Sequence, residues 1–210
     1  MPAKAPLPAR VSDQHPSADG LSQADICACF NQAFRDEFLV FMAGGALEPS
    51  YRPAQERPRR LPERQNGPGS VESESLAEAR ICAREDFAPS ALHEAAHWLI
   101  ATPGQRGVED YGHVYVPPPR KPTAQALFYA AELPVQALEC WLSRRAGIRF
   151  HASADDPDCL LSALANFQRR VEQLAAWYDT AIGGPWLPPL ALRLAALLEA
   201  SRACTGCSGR

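Results

Sequence analysis

The sequence HEAAH at residues 93–97 constrains this chain more than any other stretch. It lies in a helical pattern, and residues four apart share one face of an α-helix, so His93 and His97 can reach one metal ion. Glu94 lies beside them, where a carboxylate can hold a metal-bound water or orient a ligand. Apolar neighbours indicate a half-buried helix, in which polar side chains need partners. We therefore predict a metal site rather than a chance motif on a solvated helix.

Two histidines leave a third protein ligand to be found. The histidine continuation of the metzincins is absent, because Ile100 and Pro103 stand where that pattern requires glycine and histidine. On a later helix, Glu132, Gln136 and Glu139 are spaced so that they share one face. We favour Glu132 as the third ligand and keep Glu139 as the alternative.

Two histidines and one carboxylate are compatible with two chemistries. With zinc and a bound water they form a hydrolytic site, in which Glu94 acts as the general base. With ferrous iron and open coordination positions they form an oxygenase site. The spacing alone does not choose between them, and a protein isolated from cells could carry zinc, because the affinity order favours it over iron.

The length of 210 residues is that of one domain with spare chain at its ends. We expect a disordered segment over residues 1–20, a catalytic domain over 21–200 and a flexible tail over 201–210. Within the domain, residues 52–75 have hardly an apolar side chain and are expected to form a mobile insertion.

Charge and hydropathy narrow the choice of partners and location. The formal net charge of −3 argues against a general nucleic-acid binder, which needs a broad basic excess. The N-terminal residues lack the apolar stretch of a signal peptide, and no run is long enough to cross a bilayer. We expect a cytoplasmic protein that has no membrane partner.

The periodicity of apolar residues predicts an α+β domain that is mostly helical, with a small sheet. An apolar stripe of Ile26, Phe30, Phe34, Phe38 and Phe41 predicts a helix that opens at Ser22 and ends at Gly44-Gly45. The other expected elements are two short strands near 80–83 and 114–116, and helices from Pro89 to about residue 100, from Thr123 or Ala131 to Arg145, and over 158–180 and 188–202.

Several sequence blocks in the same order resemble the elongation factor P hydroxylases over roughly residues 22–200. The blocks are Arg80-Ile81, residues 90–98 around the two histidines, Asp110 to Tyr115, Glu132 with Pro134, residues 136–139, 153–156 and 167–171. Blocks that recur in order are far more specific than the pentapeptide alone. Members of this family hydroxylate the modified lysine of elongation factor P after that lysine has received a β-lysyl group.

The resemblance implies a zincin-like fold whose metal serves oxidation. It makes His93, His97 and Glu132 the metal ligands and Glu94 an acid/base or supporting residue. The implied cofactor is ferrous iron, with molecular oxygen as co-substrate, and the implied partner is elongation factor P. A zinc metalloprotease-like hydrolase and a binding module without catalysis remain as alternatives.

The resemblance also points to residues that would meet the substrate. A β-lysyl-lysine is long and cationic, so acidic residues at the pocket mouth would suit it. The candidates are Asp110 and Asp155, with Glu109 and Asp156 beside them, and the aromatic residues Tyr111 and Tyr115 are expected to line the channel. Turn and helix-cap roles are the alternative for the acidic residues.

The chain departs from the family pattern at four places. His113 stands where an aromatic residue is usual, and residues 116–120 replace a characteristic turn. The proline expected just before Gln136 is displaced to Pro134, and the 52–75 stretch looks additional. These departures bear on the pocket wall and on the substrate more than on the metal ligands, so a divergent member acting on another protein is an open alternative.

Overall fold

The computed structural model describes residues 20–54 and 78–207. Most of the expected N-terminal segment and of the 52–75 insertion therefore lies outside the described residues. Within them the chain forms five helices and three strands, which confirms the α+β, mostly helical class. In chain order these are α1 Gln23–Phe38, β1 Val40–Ala46, β2 Ser50–Arg52, β3 Ala79–Arg84, α2 Ala88–Ile100, α3 Pro122–Ala146, α4 Leu161–Trp177 and α5 Pro189–Cys207.

Helix α1 begins where the sequence predicts but ends earlier. Ser22 caps it, since its hydroxyl accepts from the backbone N–H of Asp25 at 3.2 Å while the Asp25 carboxylate accepts from the backbone N–H of Ser22 at 3.0 Å. The helix ends at Phe38, because Leu39 takes a left-handed conformation with φ 50°. The prediction of a helix up to Gly44-Gly45 is therefore wrong, and Phe41 belongs to a strand.

The sheet has the order β1-β3-β2. Strand β1 runs parallel to β3 and β2 runs antiparallel to it, so that Ile81 lies between Met42 and Tyr51. The strand predicted near residue 80 is confirmed as β3. The strand predicted over 114–116 is wrong, because this segment pairs with no strand of the described residues and the Val114 side chain is 88% exposed.

Gly44 allows α1 to approach the sheet closely. A Cβ atom at this position would lie 1.8 Å from Oε1 of Gln23. The amide of Gln23 in turn donates to the carbonyls of Arg84 and Phe87, each at 3.1 Å. The first residue of α1 thus fixes the turn that leads from β3 into α2.

The remaining helices pack around α2 and α3. Helix α3 begins at Pro122 and is closed by Gly147 in a left-handed conformation, as the glycine predicts. The helices predicted over 158–180 and 188–202 are confirmed as α4 and α5, although α5 continues to Cys207 into the expected tail. None of the described helices is long and apolar enough to span a membrane.

Candidate metal centre

Helix α2 presents its two histidines to α3. It starts with Pro89 in the first turn, where proline is tolerated because the N–H groups there lack helical partners. The alanines at 91, 95 and 96 are fully buried and small, which allows close packing against the neighbouring elements. His93 and His97 lie one turn apart on the half-buried face.

Glu132 on α3 meets both histidines. Its Oε1 lies 3.5 Å from Nε2 of His97, and its Oε2 lies 3.7 Å from Nε2 of His93. The two Nε2 atoms are themselves 3.1 Å apart. Two imidazoles and one carboxylate from two helices therefore converge, and no other such group of three potential ligands occurs within the described part of the chain.

The separations fit a first-row divalent metal ion. Ligand atoms about 2.0–2.1 Å from an ion, at tetrahedral or octahedral angles, lie roughly 2.8–3.4 Å from each other. The observed separations of 3.1 to 3.7 Å are close to that range. The donor set of two nitrogens and one carboxylate oxygen suits zinc and ferrous iron.

Glu139 contacts the nitrogen of the His93 ring that does not face Glu132. Its Oε2 lies 2.8 Å from Nδ1 of His93, and the carboxylate is buried between the helices. A carboxylate on Nδ1 fixes the ring orientation and the tautomer, so that Nε2 faces the centre. Of the two carboxylates that the sequence left as alternatives, Glu132 faces both Nε2 atoms and Glu139 faces the opposite nitrogen of His93.

The two histidines differ in their affinity for protons. Burial lowers the pKa of His93, but the hydrogen bond and charge of Glu139, together with the charge of Glu132, outweigh this and raise that pKa to about 10. Burial lowers the pKa of His97 well below its usual value, and positive charge on His93 and His113 lowers it further. His97 therefore offers a free nitrogen at neutral pH, whereas a metal ion must displace a proton from His93.

Glu94 lies inside the protein beside the ligands. Its side chain is buried, and burial raises its pKa to about 7, an effect that the neighbouring His93 partly opposes. A carboxyl group with such a pKa can either hold or release a proton near neutral pH. The acid/base role that the motif suggests for Glu94 stays a prediction.

Tyr111 forms a wall of the centre. Its ring stacks on Tyr51 with centroids 4.3 Å apart and lies parallel to His97 at 5.9 Å. Its hydroxyl is buried without a hydrogen-bond partner among the described residues. The neighbouring Asp110 has a hydrogen-bond partner within the protein, because its Oδ1 accepts from the backbone N–H of Tyr51 at 2.8 Å.

Asp155 and Tyr115, the other two residues expected to meet the substrate, both lie beside Arg120. Asp155 forms an ion pair with Arg120 at 2.6 Å, and the Arg120 side chain is almost fully buried. The ring of Tyr115 lies 5.6 Å from the same guanidinium group and is 64% exposed. Asp110 and Asp155 thus both have partners within the chain, and the largely exposed Tyr115 lies beside the same Arg120–Asp155 pair.

Sequence reasoning missed the contacts of three residues in and around the expected site. Tyr51 gave no signal, because it precedes a stretch that resembles an insertion. Arg120 was noted only as part of the 116–120 departure, because its partners are distant in the chain. His113 stood out only as a departure from the family, and its exposed ring lies 5.9 Å from that of His97.

Comparison with known proteins shows the family of the chain. The model of the family described as elongation factor P hydroxylase matches residues 29–199. The chain belongs to the elongation factor P hydroxylase family. The matched region contains α2 and α3 and so includes both histidines and both carboxylates. The family predicted from the sequence blocks is thereby confirmed.

One curated member of the family can be compared directly. The elongation factor P lysine hydroxylase of Haemophilus influenzae is 38% identical over 132 residues, which are 63% of this chain. The chain covers 64% of the length of that relative. The match therefore supports the family, and the relative's substrate is taken up below as a proposal.

Proposed function

We propose that this protein is a metal-dependent hydroxylase that acts on the β-lysylated lysine of elongation factor P. The observation that carries the proposal is the convergence of His93, His97 and Glu132 at separations of 3.1 to 3.7 Å in a chain of this family. The zincin-like arrangement of the centre, with both histidines on one helix, and a cytoplasmic location form part of the same proposal.

Ferrous iron is the proposed metal and molecular oxygen the proposed co-substrate. Two histidines on one side of an ion and a carboxylate beside them are the ligand set of many iron oxygenases. When bound, the iron supplies the oxygen chemistry that no side chain can perform. Insertion of one oxygen atom into a C–H bond reduces the other to water, which requires two electrons and two protons from a reductant. Zinc in the protein as isolated would reflect affinity rather than function.

The residues of the chain would bind the metal ion, orient its ligands and move protons. His93, His97 and Glu132 would hold the ion, and Glu139 would keep His93 aimed at it. Glu94, with a pKa of about 7, would take up or deliver a proton beside the reacting atoms.

The centre is accessible to a long side chain. The side chains of His93, His97 and Glu132 remain 28%, 17% and 12% exposed, so that one side of the centre faces solvent. Tyr111 would line this opening, with Asp110 close to it in the chain. Tyr115 and Asp155, next to Arg120, would then contact the outer part of the modified lysine. These four roles are proposals that the exposure of the centre supports.

Mass spectrometry of β-lysylated elongation factor P tests the function. The substrate is incubated with the protein, ferrous iron, a reductant and oxygen. We expect a gain of one oxygen atom on the modified lysine with the wild-type protein and with His151→Ala, an exposed histidine serving as control, but not with His93→Ala. No gain in mass by a wild-type protein that has bound iron would contradict the proposal. Cleavage of the peptide chain with zinc would favour the hydrolase instead.

A further inference from the structure

The Glu132 carboxylate is also held by a residue of its own helix. Oε2 of Glu132 accepts a hydrogen bond from Nε2 of Gln136 at 3.1 Å. Gln136 lies four residues further along α3, so the two side chains share one helix face. Its side chain is only 2% exposed, and its amide is therefore out of reach of bulk solvent.

A second set of hydrogen bonds fixes the orientation of this amide. Nε2 of Gln136 also donates to the carbonyl oxygen of Ser153 at 2.9 Å, and Oε1 accepts from the backbone N–H of Ser153 at 3.0 Å. Both N–H donors and the acceptor are thus engaged. Rotating the amide by half a turn would place its oxygen against the Glu132 carboxylate and the Ser153 carbonyl. Only one orientation therefore satisfies the network, and it directs an N–H group at Glu132.

The loop that holds the amide is itself anchored away from the centre. Arg120 donates to the carbonyl oxygens of Ala154 and Asp155 at 3.3 and 3.0 Å, in addition to its ion pair with the Asp155 carboxylate. The hydroxyl of Ser153 accepts from the backbone N–H of Asp155 at 3.0 Å. The loop is therefore tied down independently of Gln136, and the amide has a fixed point of attachment.

We propose that Gln136 is a positioning residue for the metal centre. Its side-chain amide, which is held by the backbone of Ser153, fixes the orientation of the Glu132 carboxylate. The proposal rests on the metal centre proposed above. A glutamate with one oxygen held has fewer rotamers to lose when it binds an ion. It also keeps the other oxygen, Oε1, directed at His97.

Cobalt binding tests this without any assay of activity. Affinity for Co²⁺ is measured by competition with a chelator, and the visible absorption of the bound ion reports its ligand geometry. We expect Gln136→Ala to bind Co²⁺ about 10- to 100-fold more weakly than wild type, with a changed spectrum, as for other residues that orient a metal ligand. Gln136→Met has nearly the length of glutamine without its polar atoms, and it should show the same loss if the alanine variant does not fold.

Gln125 provides a matched control on the same helix. Its amide donates to the carbonyl oxygen of Ala154 at 3.3 Å, so it contacts the same loop without touching Glu132. We expect Gln125→Ala to bind Co²⁺ with wild-type affinity and spectrum. Unchanged binding by the Gln136 variants, or an equal loss in Gln125→Ala, would overturn the positioning role. A wild-type protein that does not bind Co²⁺, and so behaves like His93→Ala, would overturn the metal centre itself and this proposal with it.

Discussion

At the scale of single residues, the two nitrogens of His93 have separate partners. Nδ1 faces Glu139 at 2.8 Å, while Nε2 faces His97 and Glu132. The charge of Glu139 makes the imidazole a better ligand, because it stabilises positive charge on the ring. The same charge strengthens the competition from a proton, so the metal affinity of this centre depends on both Glu139 and pH.

Replacing Glu139 should weaken metal binding without removing a ligand. Glu139→Gln keeps an oxygen that can accept from Nδ1 but loses the charge, and we expect about a tenfold loss of Co²⁺ affinity. Glu139→Ala loses both, and we expect up to about a 100-fold loss. Chelator competition measures both values, with Glu172→Gln on the surface of α4 as a control. Affinities equal to that of wild type would show that Glu139 does not support the ligand.

Metal loading should release a proton near neutral pH. The pKa of His93 is raised to about 10 in the metal-free protein, so its Nε2 carries a proton that the ion must displace. Lower pH therefore weakens binding, and we expect affinity to rise about tenfold for each pH unit between 7 and 9. Titration calorimetry in two buffers of different ionisation enthalpy counts the proton released. In Glu139→Ala the release should fall, and pH-independent affinity of the wild type would contradict the prediction.

At the scale of elements, the start of α1 depends on a local pair. The Ser22 hydroxyl and the Asp25 carboxylate satisfy backbone N–H groups that have no partner within the helix. Ser22→Ala should lower the free energy of unfolding by about 1 kcal/mol, as measured by chemical denaturation. Ser162→Ala in the first turn of α4 is the comparison, since Leu160 rather than a serine occupies the cap there. An equal effect of both substitutions would indicate that capping is not the cause.

Predictions that depend on short sequence segments are correct, whereas those that depend on tertiary contacts are not. The cap at Ser22 and the glycine after α3 are properties of short segments, so the sequence alone predicts them. The end of α1 at Leu39 was missed, because leucine rarely takes a left-handed conformation and Phe41 happens to continue the helical spacing. The segment at Val114 has the composition of a strand, but a strand also needs a neighbour to pair with.

The candidate site was predictable to a similar extent. The two histidines and Glu94 follow from one pentapeptide, since a helix places them by itself. The residue spacing favoured Glu132 but left Glu139 open, because both lie on the same face of α3. Their positions relative to His93 depend on how α3 crosses α2, which is a tertiary property. The partners of Asp110 and Asp155 could not be predicted for the same reason, since Tyr51 and Arg120 are distant in the chain.

At the scale of the whole molecule, the centre joins helices that are otherwise held by apolar packing. Helix α2 contributes Trp98, which packs against Phe30, Phe34 and Phe38 of α1 with centroids 5.0 to 5.3 Å apart. Helix α3 contacts α2, α4 and α5. An ion held by His93, His97 and Glu132 would therefore connect two helices that each pack against several other elements, and its effect should extend to global stability.

Metal binding should raise the thermal stability of the whole protein. An ion that binds only the folded state at 100 times its dissociation constant adds about 2.7 kcal/mol to the free energy of unfolding. For a chain of this size that corresponds to a rise in Tm of roughly 5–10 °C. Calorimetry with Co²⁺ and then with excess chelator should show the rise and its reversal. His93→Ala should show neither, which separates the centre from weak binding to the seven cysteines of the chain. A rise of equal size in that variant would mean that the ion binds elsewhere.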